Sequence, residues 1–126
     1  MRGGLGSKWW GTALDAPDPK KLADFYSRLL GWPISSEDRT WVTLKAPTER
    51  TYLAFHISAA YVPPVWPPAD GQQQMMAHLD FEVDDLDAAV AHALECGATL
   101  AAFQPQDDVR VCLDPDGHPF CLYRGE

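Results

Sequence analysis

Apolar and polar residues alternate along several short stretches of this chain, and the alternation predicts β-strands. In residues 9–16 the apolar or β-branched side chains fall on one parity: Trp10, Thr12, Leu14 and Ala16. Such alternation is typical of a strand that is covered on one face. Three further β-prone runs follow at 32–36, 41–45 and 51–58, with turn-forming residues between them. We therefore predict four strands in the first half of the chain.

Between the first and second strands the apolar spacing changes to three and four residues, which predicts an amphipathic helix. Asp18 followed by Pro19 is typical of a helix start, because the carboxylate caps free N–H groups and proline fits the first turn. Gly31 marks the end of the helix. The predicted buried stripe consists of Leu22, Phe25, Tyr26, Leu29 and Leu30. The first half is thus predicted to be a βαβββ module.

The second half repeats this order, 67 positions further on when Gly11 is aligned with His78. A strand is predicted at 77–83, and a helix lies between the cap Asp85 and the stop Gly97. Strands follow at 99–103, 109–113 and 119–124, the last two joined by a type I turn over 114–117. The side chains predicted to face inward from this helix are Leu86, Ala89, Val90, Ala93 and Leu94.

The proline-rich stretch between the halves has no hydrophobic period and is predicted to be a connector. We divide the 126 residues into module one (8–58), connector (59–75) and module two (76–124), all within a single domain. A ferredoxin-like βαββαβ unit would need a helix between the third and fourth strands. The three residues Thr48–Arg50 leave no room for it.

Composition narrows the function classes. The formal net charge of −8 argues against nucleic-acid binding, which needs clustered Lys and Arg. No apolar run reaches the ~20 residues of a membrane span, and residues 1–6 lack the apolar centre of a secretory signal, so a cytoplasmic location is expected. The three cysteines form no CxxC pair, which predicts reduced, buried thiols.

Three motifs in this order resemble the vicinal oxygen chelate superfamily, the group of glyoxalase I, bleomycin-resistance proteins and extradiol dioxygenases. They are FYSRLLGW at 25–32, HLDFEVDDLDAA at 78–89 and DPDGHPFCLY at 114–123. The stretch LAFHISAAYVPPVWP at 53–67 further resembles glyoxalase-like domain proteins, many of them bacterial. The resemblance implies an α+β fold in which two βαβββ modules in tandem form a half-barrel sheet around a small-molecule pocket. It also implies a homodimer.

The resemblance places the ligands of a divalent metal at four strand positions, which are here Gly11, Ala54, His78 and Cys121. Only His78 matches the His and Glu set of the metal-dependent relatives. Glycine and alanine have no donor atom, and a hard ion such as magnesium prefers oxygen to sulfur. No metal cofactor is therefore expected, and a divalent metal, if present, would be held by His78.

Strand alternation assigns the catalytic candidates His78, His56 and Asp80 to the pocket side. His78 is either a working base or ligand, or a remnant of an ancestral site that hydrogen-bonds locally. Asp80 either orients an imidazole or is a solvated acid at the pocket mouth. His56 either serves the pocket or meets solvent at a strand end.

Five further side chains are candidates for ligand binding: Trp9, Tyr61, Trp66, Cys121 and Tyr123. Trp66 and Tyr61 either form an aromatic lid over a planar ligand, or Trp66 merely pins the connector to the sheet or fills a dimer interface. Trp10, Trp32 and Trp41 are expected in the core. Cys121 is expected to be a packed, inert thiol, because no nearby cation is evident.

We therefore expect a protein that binds a small, cationic or planar organic molecule without the usual divalent metal. It is either a metal-independent lyase or isomerase, or a protein that sequesters its ligand as the bleomycin-resistance branch does. The alternative is a metal-dependent glyoxalase-like lyase or dioxygenase with shifted ligands, His78 with His56 and Asp80.

Overall fold

The computed structural model describes residues 1–125, and its first half is a four-stranded sheet with one helix. The elements are β1 (Trp10–Ala16), α1 (Pro19–Leu30), β2 (Ile34–Glu37), β3 (Trp41–Lys45) and β4 (Thr51–Ile57). The strand order is β1-β4-β3-β2, in which β1 runs parallel to β4 and the other neighbours are antiparallel. The last strand of the module, β4, therefore pairs with its first strand, β1.

The second half has the same plan. Its elements are β5 (Leu79–Val83), α2 (Leu86–Cys96), β6 (Thr99–Leu100), β7 (Val109–Leu113) and β8 (Pro119–Arg124). The order β5-β8-β7-β6 reproduces that of the first sheet, with β5 parallel to β8. The predicted α+β fold with two βαβββ modules is confirmed.

The chain divides into two compact units, one of residues 1–61 and one that begins at Val62. In the first, the side chains of α1 pack on one face of the sheet, where Phe25, Tyr26 and Phe55 are fully buried. The rings of Tyr26 and Phe55 stack with centroids 5.5 Å apart. In the second unit, Ala93 of α2 and Phe120 of β8 are fully buried.

Both helices begin and end at the residues that the sequence indicates. The Asp18 carboxylate accepts from the backbone N–H of Lys21 at 3.2 Å, and that of Asp85 accepts from Ala88 at 3.0 Å. These bonds satisfy N–H groups that have no partner within the helix. Gly31 (φ 73°) and Gly97 (φ 116°) end the helices in the left-handed region, where a side chain is strained.

Several predicted strands differ in their bounds from the structure; the one predicted at 32–36, for example, is β2 at Ile34–Glu37. The strand expected at 99–103 is assigned only at Thr99–Leu100. Ala101 still donates its backbone N–H to the carbonyl of Val111 at 3.0 Å, but the N–H of Val111 is bonded to the side chain of Gln104. Its amide donates to the carbonyl of Val111 at 2.9 Å and accepts from the N–H of Val111 at 2.8 Å. His78, expected within a strand, lies one residue before β5.

Several expected core residues are exposed. Trp10, the first residue of β1, is 59% exposed. Trp41 is also exposed, and its indole N–H donates to the hydroxyl of Thr43 at 2.8 Å rather than entering the core. Leu94 is exposed because the buried residues of α2 are Leu86, Ala93 and Cys96. Trp32 is half-buried.

The turn between β7 and β8 is organised by a buried carboxylate. Asp114 accepts from the backbone N–H groups of Asp116 and His118, each at 3.0 Å. The imidazole Nδ1 of His118 lies 2.8 Å from the second oxygen of Asp114. These contacts hold the end of β7 against the start of β8.

Neither helix within residues 1–125 has the length and apolar character of a membrane-spanning segment.

Candidate functional site

The parallel pair β5 and β8 brings three chemically active side chains to one face of the second sheet. Asp80 lies directly opposite Cys121 in the register of the two strands. His78 precedes Asp80 by two residues, so its side chain emerges on the same side of the extended backbone. The pairing register of β5 and β8 therefore determines which side chains lie together here.

The three side chains lie close enough to interact. His78 Nε2 is 3.0 Å from Asp80 Oδ1, with both side chains partly exposed. One nitrogen, oxygen or sulfur atom from each of His78, Asp80 and Cys121 lies within 4.8 Å of the others. The imidazole and the carboxylate thus form an ion pair when the histidine is protonated and a hydrogen bond when it is neutral.

The Cys121 thiol is held in its protonated form. Burial raises the pKa of Cys121 to about 11, and the Asp80 carboxylate adds to the shift by repelling the thiolate and accepting a hydrogen bond from the thiol. A nucleophilic cysteine needs the opposite environment, a nearby cation or a helix N-terminus. This agrees with the expected inert thiol, although Cys121 is only half-buried, unlike the buried Cys96 and Cys112.

An open cavity of about 310 Å³ lies beside this group. Besides the three side chains, it is lined by Tyr123, which the sequence indicated, and by Gln106, Asp108, Val109 and Arg124, which it did not. Val109 is the register partner of Tyr123, so the predicted β7–β8 hairpin was a signal for its position. Gln106 and Asp108 lie in the loop before β7, which has no hydrophobic pattern.

The positions of the first module that correspond to His78 and Cys121 have no donor side chain. Gly11, which corresponds to His78, is paired with Tyr52 across β1 and β4. A Cβ atom at position 11 would lie 2.5 Å from three atoms of the Tyr52 ring, which therefore covers the glycine. Ala54, which corresponds to Cys121, is fully buried. An aromatic ring over a strand glycine is a known way of stabilising that glycine.

His56 lies at the end of β4 with different neighbours from His78. Its Nδ1 is 3.7 Å from Asp15 Oδ1, and its ring centroid is 5.9 Å from that of Trp41. Asp15, His56 and Trp41 are consecutive across β1, β4 and β3. The side chain of His56 is about half exposed, at 51%. The alternative ligand set of His78, His56 and Asp80 draws on both units and stays a prediction.

The three aromatic candidates outside the second sheet have distinct positions. Trp9 lies just before β1 with Lys45 Nζ 4.9 Å from its ring centroid, a cation–π contact. Tyr61 is half-buried after β4. Trp66 donates from its indole N–H to the carbonyl of Phe103 at 3.1 Å, and the two rings lie 6.0 Å apart. The contacts of Trp66 fasten the proline-rich stretch to the loop after β6, and its predicted roles as a lid or as a pin to the sheet stay predictions.

A larger open cavity of about 640 Å³ lies at the start of α2. Its charged lining consists of Asp84, Asp85, Asp87, Asp107, Asp108, Arg110 and Arg124. The guanidinium of Arg110 donates to the backbone carbonyls of Gln106, Asp107 and Val109. Carboxylates outnumber guanidinium groups here, so the cavity favours cations.

The residues present do not fit the hard divalent metal of the metal-dependent relatives. Of the four positions that the resemblance implies, Gly11 and Ala54 have no donor, and Tyr52 covers the first of them. The remaining two offer an imidazole and a protonated thiol. Magnesium and manganese require mainly oxygen ligands.

Two βαβββ modules with a histidine ahead of the first strand of the second module define a protein of the glyoxalase, bleomycin-resistance and dioxygenase class. The chain belongs to the glyoxalase-like domain family, whose sequence profile matches residues 11–123. This match confirms the resemblance seen in the three motifs. No curated protein sequence matches the chain.

Solved structures share the fold at low sequence identity. A glyoxalase/bleomycin resistance protein/dioxygenase family enzyme from Burkholderia phytofirmans is 18% identical, with 90% of this chain and 95% of that chain covered and a TM-score of 0.65. TnmS3, an antibiotic binding protein from a Streptomyces strain, is 18% identical, with coverage of 98% and 99% and a TM-score of 0.65. The fosfomycin resistance protein FosX from Mesorhizobium loti is 16% identical, with coverage of 100% and 95% and a TM-score of 0.67.

Proposed function

We propose that this protein binds and sequesters a small organic molecule in the cavity between β5, β7 and β8, without the hard divalent metal of its metal-dependent relatives. The observation that carries the proposal is the convergence of His78, Asp80, Cys121 and Tyr123 on that cavity. Its volume of about 310 Å³ falls at the lower end of the range for small-molecule sites. The ligand is therefore small.

The lining indicates a cationic, partly planar ligand. The carboxylates of Asp80 and Asp108 offer acceptors for a protonated amine, and Tyr123 offers an aromatic surface. An antibiotic binding protein and a fosfomycin resistance protein share this fold, which is consistent with binding of a small bioactive molecule. We extend that role to this chain as a proposal.

Calorimetric titration tests the proposal in a buffer that contains EDTA. Cationic aromatic compounds are compared with neutral and anionic analogues of the same size. We expect binding of the cationic compounds, and a loss of about tenfold in affinity for Tyr123→Ala or Asp108→Asn, the size of one lost contact. Asp70→Asn, an exposed acid outside the cavity lining, is the matched control. Equal affinities for all three variants would contradict the assignment of the cavity.

A second candidate function is a metal-independent lyase or isomerase, favoured by the 3.0 Å contact of His78 with Asp80. In this scheme Nε2–H donates to the carboxylate, and Nδ1 accepts a proton from a carbon acid and returns it to the product. His78→Ala would then abolish turnover while ligand binding remains, and Asp80→Asn would lower kcat more than it changes KM. Unchanged turnover in both His78→Ala and His56→Ala would exclude this role.

A homodimer and a cytoplasmic location are also part of the proposal. The resemblance supports the dimer, and the acidic, moderately apolar composition is consistent with the location. Light scattering coupled to size-exclusion chromatography measures the mass directly, and a mass of one chain, about 14.0 kDa, would contradict the dimer. Fractionation of cells that express the native gene tests the location.

A further inference from the structure

One wall of the cavity of about 310 Å³ is formed by a loop and not by the sheet. Most of the lining side chains belong to β5, β7, β8 or the residue before β5, whereas Gln106 and Asp108 come from the loop between β6 and β7. We call residues 106–108 the wall segment. All three are exposed, so burial of apolar surface contributes little to their position. Polar contacts therefore hold the wall segment in place.

Arg110, in the strand that follows, supplies such contacts. Its Nη1 atom donates to the backbone carbonyls of Gln106 at 3.3 Å, Asp107 at 2.9 Å and Val109 at 2.8 Å. Three carbonyl oxygens around one nitrogen atom curl the chain about the guanidinium. This group is always charged in proteins, and hydrogen bonds from charged donors are stronger than those between neutral groups. One side chain thus fixes the wall segment.

The Arg110 side chain leaves β7 on the face of the sheet opposite the cavity. Val109 lines the cavity together with its register partner Tyr123, and Arg110 is the next residue along β7. Successive side chains of a strand point to opposite faces. Arg110 lines the separate cavity of about 640 Å³ at the start of α2. It can therefore affect a ligand beside Tyr123 only through the wall segment or through its charge.

We propose that Arg110 is a positioning residue for the ligand cavity, which presents the Asp108 carboxylate and the Gln106 amide to a bound cation. The proposal rests on the proposed function, because it takes this cavity as the binding site. A wall that is ordered before the ligand arrives avoids the cost of ordering it during binding. Arg110 thus contributes to affinity for the ligand without touching it.

Positioning and charge predict opposite effects when Arg110 is replaced. Removal of a positive charge makes the surroundings of the cavity more negative, so charge alone would strengthen the binding of a cation. Loss of the three hydrogen bonds frees the wall segment and displaces the Asp108 carboxylate, so positioning predicts weaker binding. The sign of the change in affinity separates the two effects.

The variant Arg110→Met keeps an apolar stem of similar length and has no N–H donor. Calorimetric titration of the full chain with phenethylammonium, a small aromatic cation, measures its effect in a buffer that contains EDTA. We expect a loss of about tenfold in affinity, the cost of ordering one or two side chains on binding. The matched control is Arg39→Met, an exposed arginine between β2 and β3, which changes the net charge equally and should keep the affinity. Equal or higher affinity in Arg110→Met would overturn the proposal.

A double variant shows whether Arg110 acts through Asp108. Asp108→Asn removes the carboxylate that the wall segment presents. Arg110→Met should therefore cost no more than about threefold in that background, compared with about tenfold in the unmodified protein. The full loss in both backgrounds would mean that Arg110 does not act through Asp108, and would overturn the assignment.

Backbone amide relaxation, measured by NMR, needs no ligand. We expect order parameters of about 0.85 for residues 106–109 in the unmodified protein and in Arg39→Met, and values below about 0.6 in Arg110→Met. Unchanged order parameters in Arg110→Met would overturn the proposal. An unmodified protein that does not bind the cation would contradict the proposed function, whereas the order parameters would still decide whether Arg110 holds the wall segment.

Discussion

Cys121 and Asp80 face each other across two parallel strands, and each changes the chemistry of the other. The carboxylate disfavours the thiolate, and burial does so more strongly. At neutral pH the thiol therefore acts as a hydrogen-bond donor to Asp80. The same carboxylate lies 3.0 Å from the His78 imidazole, so one acceptor serves two donors.

Alkylation of Cys121 should be slow at neutral pH. A thiol with a pKa of about 11 has roughly 100-fold less thiolate than one at the ordinary 9.0, and the thiolate is the reactive form. The rate with iodoacetamide, followed by mass spectrometry of the Cys121 peptide, should rise steadily up to about pH 11. Asp80→Asn removes the repulsion, lowers the pKa and speeds alkylation severalfold. An unchanged or lower rate in that variant would contradict the effect assigned to Asp80.

Gly11 and Tyr52 should be coupled in stability. Gly11→Ala places a methyl group 2.5 Å from ring atoms of Tyr52, and such overpacking costs about 1 to 3 kcal/mol of unfolding free energy. In a Tyr52→Ala background the same change should cost little. Urea unfolding of the two single variants and the double variant gives the coupling energy directly. Strictly additive effects would show that the ring does not restrain position 11.

At the scale of the element, local signals predicted most of the fold. The caps Asp18 and Asp85, the stops Gly31 and Gly97 and the β7 and β8 strands lie where the sequence indicates them, because short-range hydrogen bonds and φ preferences determine them. Strand alternation assigned His78, Asp80 and Cys121 to one side of their strands, and in the structure their ligand atoms lie within 4.8 Å of one another.

The features that the sequence did not predict depend on contacts between distant parts of the chain. Gln104 shortens β6 through side-chain bonds to Val111, seven residues away, which no hydrophobic pattern encodes. Trp10 and Trp41 are apolar residues in strands, yet their burial depends on which part of the sheet the helix covers. Gln106 and Asp108 reach the cavity from a loop, where side-chain direction has no period.

The two helix caps should be energetically equivalent. Asp18→Ala and Asp85→Ala each remove one bond to the first turn, and each should cost about 1 kcal/mol in urea unfolding. Asn at either position keeps an acceptor oxygen, so Asp18→Asn and Asp85→Asn should retain most of the stability. Alanine and asparagine variants of equal stability would mean that the caps contribute nothing.

Across the whole molecule, acidic charge predominates. The formal net charge is −8, and five carboxylates line the cavity of about 640 Å³ at the start of α2. Such a field raises the local concentration of cations and speeds their association. Its range shrinks with salt, because the Debye length falls from about 30 Å at 0.01 M to about 8 Å at 0.15 M.

The association rate of a cationic ligand should therefore depend on ionic strength. Stopped-flow measurements should show a fall of about tenfold or more between these two salt concentrations. The dissociation rate should change much less, since it reflects contacts within the cavity. A neutral analogue of the ligand serves as the control and should associate at the same rate throughout. Equal salt dependence for both compounds would show that the net charge does not guide association.

The Tyr52 ring over Gly11 fills the space that a donor side chain at position 11 would need. An imidazole introduced there meets the ring, so a donor at position 11 also requires a change at Tyr52. Removal of the ring alone leaves an uncovered glycine in β1 and gains no ligand in exchange. Ala54 adds a second obligatory change at a fully buried position. A four-donor site therefore needs changes at Gly11, Tyr52 and Ala54 together, whereas the donor side chains of the second module are already in place.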